Sequence, residues 1–212
     1  MEIVLATRNK KKIEEIKRIT ADMAISLFTL EDFPYCPEVE EDGVTFEENA
    51  IKKAVTVARY TGKPSLADDS GLEVYALNGA PGTLSARYAG DEADDRKNIE
   101  KLLKEMHFIK NRRARFVCCI VLAFPDGNIN IFYGYSEGTI GTEPKGSNGF
   151  GYDPVFYPQG YSRTFAEMSD QEKDSLSHRG WALKEFQQFI KQKLIKNYIY
   201  YNDIISVNLS DK

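Results

Sequence analysis

Short apolar runs alternate with helical patterns along the chain, and this alternation is typical of an α/β fold. Residues 3–6 form an apolar run that predicts a buried strand, and isoleucines spaced three apart over residues 13–19 predict a helix after it. Residues 24–30 predict a second strand. The prolines and acids of residues 31–44 predict a loop.

A helix start is encoded in the sequence Thr-Phe-Glu-Glu that begins at Thr45. The Thr45 hydroxyl can accept a hydrogen bond from the Glu48 N–H while the Glu48 side chain reaches back, so we expect a capping box. The helix is expected to end near Tyr60, because Gly62 and Pro64 follow.

The rest of the chain predicts further elements of both kinds. They are two strands at 65–68 and 72–76 around a break at Ser70-Gly71, a turn at Asn78-Gly79, a helix over 94–106, a hairpin of 116–124 and 129–135, and a Gly-rich loop over 143–151. A second capping box is expected at Ser169 to Glu172. A long helix is expected from about His178, with one apolar face formed by Leu183, Phe186, Ile190 and Leu194.

Length and composition describe an ordinary globular chain. It has 212 residues, of which 42% are hydrophobic and 28% charged, so a disordered chain or a disulfide scaffold is excluded. No apolar run reaches the ~18 residues that span a membrane, and no secretory signal is present. The net charge of −4 argues against a nucleic-acid partner. Cys36, Cys118 and Cys119 include no Cys-x-x-Cys pair, which predicts reduced thiols in a cytoplasmic protein.

One candidate anion site follows the first predicted strand. Residues 7–12 read Thr-Arg-Asn-Lys-Lys-Lys at the start of a helix, where backbone N–H groups and the helix dipole favour an anion. This edge of an α/β sheet is also where ligands bind. The segment lacks the glycines of a P-loop.

Two acidic segments are candidates for metal binding or proton transfer. Glu40 and Glu41 precede the capped helix and can supply an oxygen ligand to Mg²⁺. Asp68 and Asp69 end an apolar strand, where burying them needs a partner or a function. Because side chains alternate along a strand, only one of the two aspartates is expected to face a cleft.

A base-binding wall is suggested by two later segments. In residues 146–154 the glycines allow close approach of a ligand, Phe150 and Tyr152 can stack on a base, and Asp153 can accept hydrogen bonds from it. Lys173 and the run Ser177-His178-Arg179 add cations at a helix start. Together with the anion and metal candidates, these segments predict a Mg²⁺-dependent enzyme acting on a nucleotide.

Motifs in these segments resemble the inosine triphosphate pyrophosphatase family. The matching segments are Leu5-Ala6-Thr7-x-Asn9-x-x-Lys12, Glu40-Glu41-x-Gly43-x-Thr45-Phe46-x-Glu48-Asn49-Ala50-x-x-Lys53-Ala54, Ala67-Asp68-Asp69-Ser70-Gly71-Leu72, Gly79-Ala80-Pro81-Gly82-x-x-Ser85-Ala86-Arg87-Tyr88, Gly149-Phe150-Gly151-Tyr152-Asp153-Pro154-x-Phe156, and Phe165-Ala166-Glu167-Met168 through Lys173 to Ser177-His178-Arg179. They occur in family order and extend from residue 3 to about 190.

The resemblance implies an α/β fold with a long mixed sheet flanked by helices, in two lobes around a central cleft. It implies a cytoplasmic homodimer that, with Mg²⁺, hydrolyses ITP, dITP and XTP to the monophosphate and pyrophosphate and so cleans the nucleotide pool. Residues 1–190 are then a single domain, and residues 191–212 are a C-terminal extension without an assigned role.

The resemblance also assigns roles to residues. Asp69 is the general base and a metal ligand, with Glu41 or Glu40 as the second carboxylate. Phe150 stacks on the purine, and donors such as Arg179 favour a keto oxygen at C6. The full expected substrate-binding set is Thr7, Arg8, Asn9, Lys10, Lys11, Lys12, Lys53, Ser70, Phe150, Gly151, Tyr152, Asp153, Lys173, His178 and Arg179.

Two alternatives to this function stay open at the level of sequence. One is a nucleotide sensor that binds without turnover, against which the carboxylates Asp69, Glu40 and Glu41 argue. The other is a pyrophosphatase for modified pyrimidine or methylated nucleotides, against which the base-binding residues argue. A substrate panel separates them.

Overall fold

A six-stranded mixed sheet forms the centre of the protein in this computed structural model, which describes residues 1–193. The strands are β1 (Glu2–Leu5), β2 (Ser26–Phe28), β3 (Ser65–Val74), β4 (Arg113–Ala123), β5 (Ile129–Ile140) and β6 (Phe156–Pro158). Their spatial order is β2-β1-β3-β4-β5-β6. β1 is parallel to both of its neighbours, β2 and β3. The successive pairs β3–β4, β4–β5 and β5–β6 are antiparallel.

Helices flank this sheet. They are α1 (Lys10–Ile19), α2 (Phe46–Thr61), α3 (Asp95–Glu105), α4 (Asp170–Leu176) and α5, which is helical over residues 178–193. Short 3₁₀ helices lie at Tyr75–Leu77, Gly82–Arg87, Asp153–Val155 and Phe165–Glu167. The predicted mixed sheet with flanking helices is confirmed.

Both expected helix starts are present. The Thr45 hydroxyl accepts from the Glu48 N–H at 3.1 Å, as predicted, but the Glu48 carboxylate reaches one residue further back and accepts from the Val44 N–H at 2.8 Å. The capping box at Ser169 has both of its hydrogen bonds. α2 ends at Gly62, whose φ of 66° is the left-handed conformation that glycine adopts without strain.

The predicted break at Ser70-Gly71 is wrong, because β3 runs without interruption through both residues. Gly71 is instead needed for packing. A Cβ there would lie 2.4 Å from Ser85 Oγ and 2.5 Å from the Gly82 carbonyl oxygen. The 3₁₀ helix Gly82–Arg87 therefore packs directly on the strand, and the Leu72 N–H donates to Ser85 Oγ at 2.9 Å.

Three apolar clusters divide the molecule into two parts. α2 packs Ala54 against one face of β1, β3 and β4, while α1 and α5 cover the opposite face with Ile16 and Phe186. The third cluster, around Phe116 and Phe156, lies at the other end of the long strands together with α3. The cleft between these parts is the central cleft that was expected.

α5 lies in direct contact with β5, and Gly134 makes this possible. A Cβ on Gly134 would lie 1.9 Å from the His178 carbonyl oxygen and 2.5 Å from the Ala182 backbone nitrogen. A side chain at this position would push the start of α5, and with it His178 and Arg179, away from the sheet.

The remaining expectations fall partly outside the described residues. Leu183, Phe186 and Ile190 are buried as predicted, whereas Leu194 and most of the C-terminal extension lie beyond residue 193. The division into a domain at 1–190 and an extension at 191–212 therefore stays a prediction. Within residues 1–193, no helix is both long and apolar enough to cross a membrane.

Candidate active site

A cavity of about 350 Å³ lies in the central cleft and collects most of the predicted site residues. It is bordered by the loop from β1 to α1, the middle of β3, the loop before α2, the loop before β6 and the start of α5. The predicted residues that line it are Thr7, Arg8, Asn9, Lys12, Glu41, Lys53, Asp69, Ser70, Phe150, Tyr152, Asp153, Lys173, His178 and Arg179.

Four predicted residues lie outside this lining. Lys10 and Lys11 point away from the cavity, and Lys11 is 3.7 Å from Glu14 in an exposed ion pair. Glu40 is exposed and has no place in the cavity wall, which leaves Glu41 as the better placed of the two carboxylates. Gly151 does not line the cavity either.

The α1 end of the cavity presents side chains rather than free backbone N–H groups. Asn9 Oδ1 caps α1 by accepting from the Lys11 and Lys12 N–H groups at 3.0 and 3.2 Å. Those two N–H groups are therefore occupied, contrary to what the helix start alone suggests. The cations available to an anion here are the side chains of Arg8 and Lys12.

Asp68 and Asp69 point to opposite faces of β3, as strand alternation predicts. Asp68 is the structural member of the pair. Its oxygens lie 2.5 Å from Lys12 Nζ and 2.8 Å from Arg179 Nε, and Cys118 Sγ donates to it at 3.1 Å. Burial alone would raise the pKa of Asp68, but the charges of Arg179 and Lys12 outweigh it and hold that pKa well below its usual range.

Asp69 is the member that lines the cavity. Its Oδ1 lies 3.1 Å from Lys53 Nζ, and its Oδ2 is buried without any hydrogen-bond partner. Burial, together with the nearby charge of Glu41, raises the pKa of Asp69 to about 6, despite the opposing charges of Lys53 and Lys12. The Asp69 carboxylate is therefore ionised at neutral pH and keeps one oxygen without a hydrogen-bond partner.

Lys53 connects the two carboxylates of the cavity. Its Nζ lies 3.1 Å from both Glu41 Oε1 and Asp69 Oδ1, and it donates to the Asp68 carbonyl oxygen at 2.9 Å. Burial alone would lower the pKa of Lys53, but the carboxylates of Asp69, Glu41 and Asp68 raise it above its usual value. Lys53 is thus a permanent cation that fixes the position of Asp69.

A further part of the cavity lining surrounds the Phe150 ring; we call it the aromatic wall and define it as Phe150, Asp153, Lys173, His178 and Arg179. The Phe150 ring lies over two cations, 4.8 Å from Lys173 Nζ and 5.6 Å from Arg179 Cζ. Lys173 Nζ lies 2.6 Å from Asp153 Oδ2, and Asp153 also accepts from the Phe150 N–H at 2.9 Å.

His178 is neutral in this wall. Its ring stacks on Phe116 with the centroids 4.6 Å apart and an angle of 9° between the ring planes. Burial and the neighbouring Arg179 hold the pKa of His178 well below its usual value. Its Nδ1 is buried without a hydrogen-bond partner. This nitrogen is available for a hydrogen bond that a ligand supplies.

The sequence of this chain is similar to those of known proteins over most of its length. Residues 3–189 match the model of the Ham1 family. The chain belongs to the Ham1 family. It is 53% identical over 192 residues to the dITP/XTP pyrophosphatase of Syntrophobacter fumaroxidans, a match that covers 91% of this chain and 83% of that protein.

Further relatives agree with this assignment. The dITP/XTP pyrophosphatase of Halalkalibacterium halodurans is 49% identical over 191 residues, with 89% of this chain and 98% of that protein covered. The solved structure of the Staphylococcus aureus Ham1 protein is 44% identical in sequence and superimposes with a TM-score of 0.83. The match covers 91% of this chain and 100% of that one. The family and the fold expected from the motifs are therefore confirmed.

One buried residue of this Ham1-family site was not predicted from the sequence. Glu15 lies in α1, is 5% exposed, and its carboxylate contacts both Lys173, at 2.7 Å, and Arg179. It thereby holds two cations of the aromatic wall. The only signal in the sequence is helical phase, because Glu15 lies three residues after Lys12 and beside the buried Ile16.

Proposed function

We propose that this chain hydrolyses non-standard purine nucleoside triphosphates, namely ITP, dITP and XTP, to the nucleoside monophosphate and pyrophosphate. The names of its Ham1-family relatives support the reaction and the substrates. The observation that carries the proposal is that one cavity joins three groups of residues. They are the cations at the start of α1, the carboxylates Asp69 and Glu41, and the aromatic wall.

The triphosphate is expected to bind between the α1 end and β3. Arg8 and Lys12 supply positive charge there, and Thr7 and Asn9 supply short polar side chains. The Lys12 ammonium group is held in place by its 2.5 Å contact with Asp68, so its side chain is already ordered before a ligand binds. Such fixed charges stabilise a polyphosphate more than mobile ones do, because little side-chain entropy is lost on binding.

Asp69 is proposed as the general base. A pKa of about 6 means that it is ionised at neutral pH yet close enough to neutrality to accept a proton efficiently. Asp69 lines the cavity and its Oδ2 has no hydrogen-bond partner, so this oxygen is proposed to take the proton of the water molecule that attacks the α-phosphorus. Lys53 holds the carboxylate through Oδ1, which leaves Oδ2 as the proton acceptor.

The same carboxylates fit a divalent cation. Asp69 Oδ2 is without a partner, Glu41 lies across Lys53 from it, and oxygen donors of this kind suit Mg²⁺. Within residues 1–193, no group of three or more His, Cys, Asp or Glu side chains is placed to hold a metal alone. Substrate phosphates are therefore expected to complete the ligand set. Asp69 and Glu41 would hold such a cation, and it would supply neutralisation of the negative charge on the leaving pyrophosphate.

The aromatic wall is proposed to select the base. Phe150 supplies a stacking surface over the cations Lys173 and Arg179. Arg179 uses four of its five N–H donors on Asp68, Glu15 and Ser70, so at most one remains for a ligand. Lys173 likewise uses two of its three donors, on Glu15 and Asp153.

These few remaining donors favour a C6 keto oxygen over a C6 amine. An amine would place its hydrogens against these donors, and donor groups that face each other without an acceptor are strongly unfavourable in a buried site. Hypoxanthine and xanthine carry the keto oxygen, and adenine does not.

The homodimer and the cytoplasmic location are proposed on the family resemblance. The thiols are consistent with a reducing compartment, because Cys36, Cys118 and Cys119 are all free and buried. A sedimentation measurement on the full chain tests the dimer.

A substrate panel tests the proposed function. We expect kcat/KM for ITP, dITP and XTP to exceed that for ATP by about a hundredfold or more, and turnover to stop when EDTA removes divalent cations. GTP belongs in the same panel. Equal hydrolysis of ATP, or binding of dITP without turnover in Mg²⁺, would contradict the proposal, and the second outcome would indicate a sensor.

A further inference from the structure

Asp95, the first residue of α3, is hydrogen-bonded to the loop before β6. Its Oδ2 accepts a hydrogen bond from the Gly151 N–H at 2.8 Å, between residues 56 positions apart in sequence. Asp95 also lines the cavity. Neither the motifs nor the proposed chemistry gives it a role.

The helix does not need the Asp95 side chain as its cap. Asp94 is the N-cap of α3, and its Oδ1 accepts from the Arg96 and Lys97 N–H groups at 2.9 and 3.1 Å. Two neighbouring acids thus do different things: Asp94 satisfies the start of the helix, and Asp95 reaches across to the loop. This difference supplies a matched control.

The loop that Asp95 contacts carries the ring of the aromatic wall. Phe150 precedes Gly151, and its N–H donates to Asp153 Oδ2 at 2.9 Å. The Gly151 N–H is held from the other side by Asp95. Gly149 and Gly151 have φ of +74° and +60°, conformations that glycine enters and leaves easily. These two hydrogen bonds hold the backbone at Phe150 and at the residue after it, and the Asp153 N–H also donates to the Phe150 carbonyl oxygen at 3.3 Å.

α3 is a firm support for such a contact. Ile99 and Leu102 bury its apolar face in the third core cluster. The Asn98 side chain donates to the Ala86 carbonyl oxygen at 2.9 Å and accepts from the Ala89 N–H at 2.7 Å. Asp95 is therefore carried on a packed element, and its hydrogen bond ties the loop at Gly151 to that element.

We propose that Asp95 is a positioning residue for substrate recognition, which holds the Phe150–Gly151 loop so that the Phe150 ring is aligned to stack on a purine base. This proposal rests on the proposed function of the cavity. Asp95 acts on the base through Phe150 and takes no part in the phosphate chemistry at Asp69. Its loss is expected to weaken substrate binding and to leave the chemical step nearly unchanged.

Two substitutions separate the hydrogen bond from the charge. Asp95→Ala removes the acceptor, and KM for dITP and XTP is expected to rise about tenfold while kcat changes less than about twofold. Asp95→Asn keeps an acceptor oxygen and is expected to stay within about threefold of the wild-type KM. Asp94→Ala weakens the start of α3 without touching the loop, and its KM is expected to be that of the wild type.

Hydrogen exchange of the free protein tests the contact without reference to turnover. We expect exchange at the Gly151 amide to accelerate about tenfold in Asp95→Ala, and to be near wild type in Asp95→Asn and Asp94→Ala. Unchanged exchange at Gly151 in Asp95→Ala would overturn the proposal. A raised KM with unchanged exchange would indicate instead that Asp95 touches the substrate directly.

The two proposals fail in distinguishable ways. If the wild-type protein hydrolyses none of the purine triphosphates, the proposed function is wrong, while exchange at Gly151 still reports whether Asp95 holds the loop. If the wild type is active but Asp95→Ala and Asp94→Ala raise KM equally, the effect arises from the stability of α3, and the positioning role is refuted.

Discussion

Replacing Asp69 with asparagine is expected to stabilise the fold while it removes turnover. Asp69 is 5% exposed, and only one of its carboxylate oxygens has a partner. In the unfolded chain its carboxyl ionises near the ordinary pKa of 3.8, whereas in the folded protein that pKa is about 6. Ionised Asp69 therefore destabilises the folded state at neutral pH.

The magnitude follows from the difference between these two pKa values. About 2 pKa units correspond to about 3 kcal/mol of unfolding free energy, because one unit corresponds to 1.36 kcal/mol. The amide of Asp69→Asn binds Lys53 less strongly than a carboxylate does, so we expect a net gain of about 2 kcal/mol. The unfolding free energy of the wild type is expected to fall relative to that of Asp69→Asn as the pH rises from about 4 to about 6. The full difference between the two proteins persists at higher pH.

Urea unfolding without divalent cations, at about pH 4 and about pH 8, measures this difference. The neighbouring Asp68 supplies a control of opposite sign. Its pKa is held well below the usual value, so its charge stabilises the fold at neutral pH, and that contribution is lost as pH falls. Asp68→Asn leaves Arg179 and Lys12 short of a buried partner and is expected to destabilise the protein by about 3–5 kcal/mol.

The outcome that refutes this reasoning is equally definite. If Asp69→Asn is less stable than the wild type at about pH 8, burial does not dominate the ionisation of Asp69. A stability difference that is the same at both pH values would also contradict it. Turnover of dITP in Asp69→Asn is expected to fall by about a hundredfold or more, and near-full turnover would rule out Asp69 as the general base.

Three further predictions concern the same cavity. Glu41→Gln is expected to lower kcat/KM about tenfold or more and to weaken Mg²⁺ dependence, whereas exposed Glu40→Gln stays near wild type; equal effects would contradict the assignment. Gly134→Ala, with its Cβ 1.9 Å from the His178 carbonyl oxygen, should lower unfolding free energy by about 1–3 kcal/mol in urea; no change would refute the close contact. The wild-type pH–rate profile, measured with Mg²⁺, should fall at acid pH as Asp69 protonates; a flat acid limb would contradict the general-base role.

Much of the fold could be predicted because its signals are local. The capped start of α2 at Thr45, its end at Gly62 and the apolar run of β4 each depend on neighbours a few residues away. The opposite orientation of Asp68 and Asp69 likewise follows from the alternation of a strand. The break expected at Gly71 failed because that glycine is required by a segment that returns to the strand from residues 82–87.

The site was harder to predict where burial depends on distant partners. Glu14 and Glu15 are adjacent and identical in type, yet only Glu15 is buried, against cations more than 150 positions away. Lys10 and Lys11 stand beside Lys12 in the sequence, yet of the three only Lys12 lines the cavity. The sequence states which side chains are charged, but the tertiary fold determines which of them are buried.

Hydrolysis of dITP in water labelled with heavy oxygen tests the central claim most directly. Attack on the α-phosphorus by a water molecule that Asp69 activates predicts one labelled oxygen in the deoxyinosine monophosphate and none in the pyrophosphate. The Asp69→Asn protein should release neither product at a comparable rate. Label in the pyrophosphate, or release of orthophosphate with the diphosphate, would contradict the account.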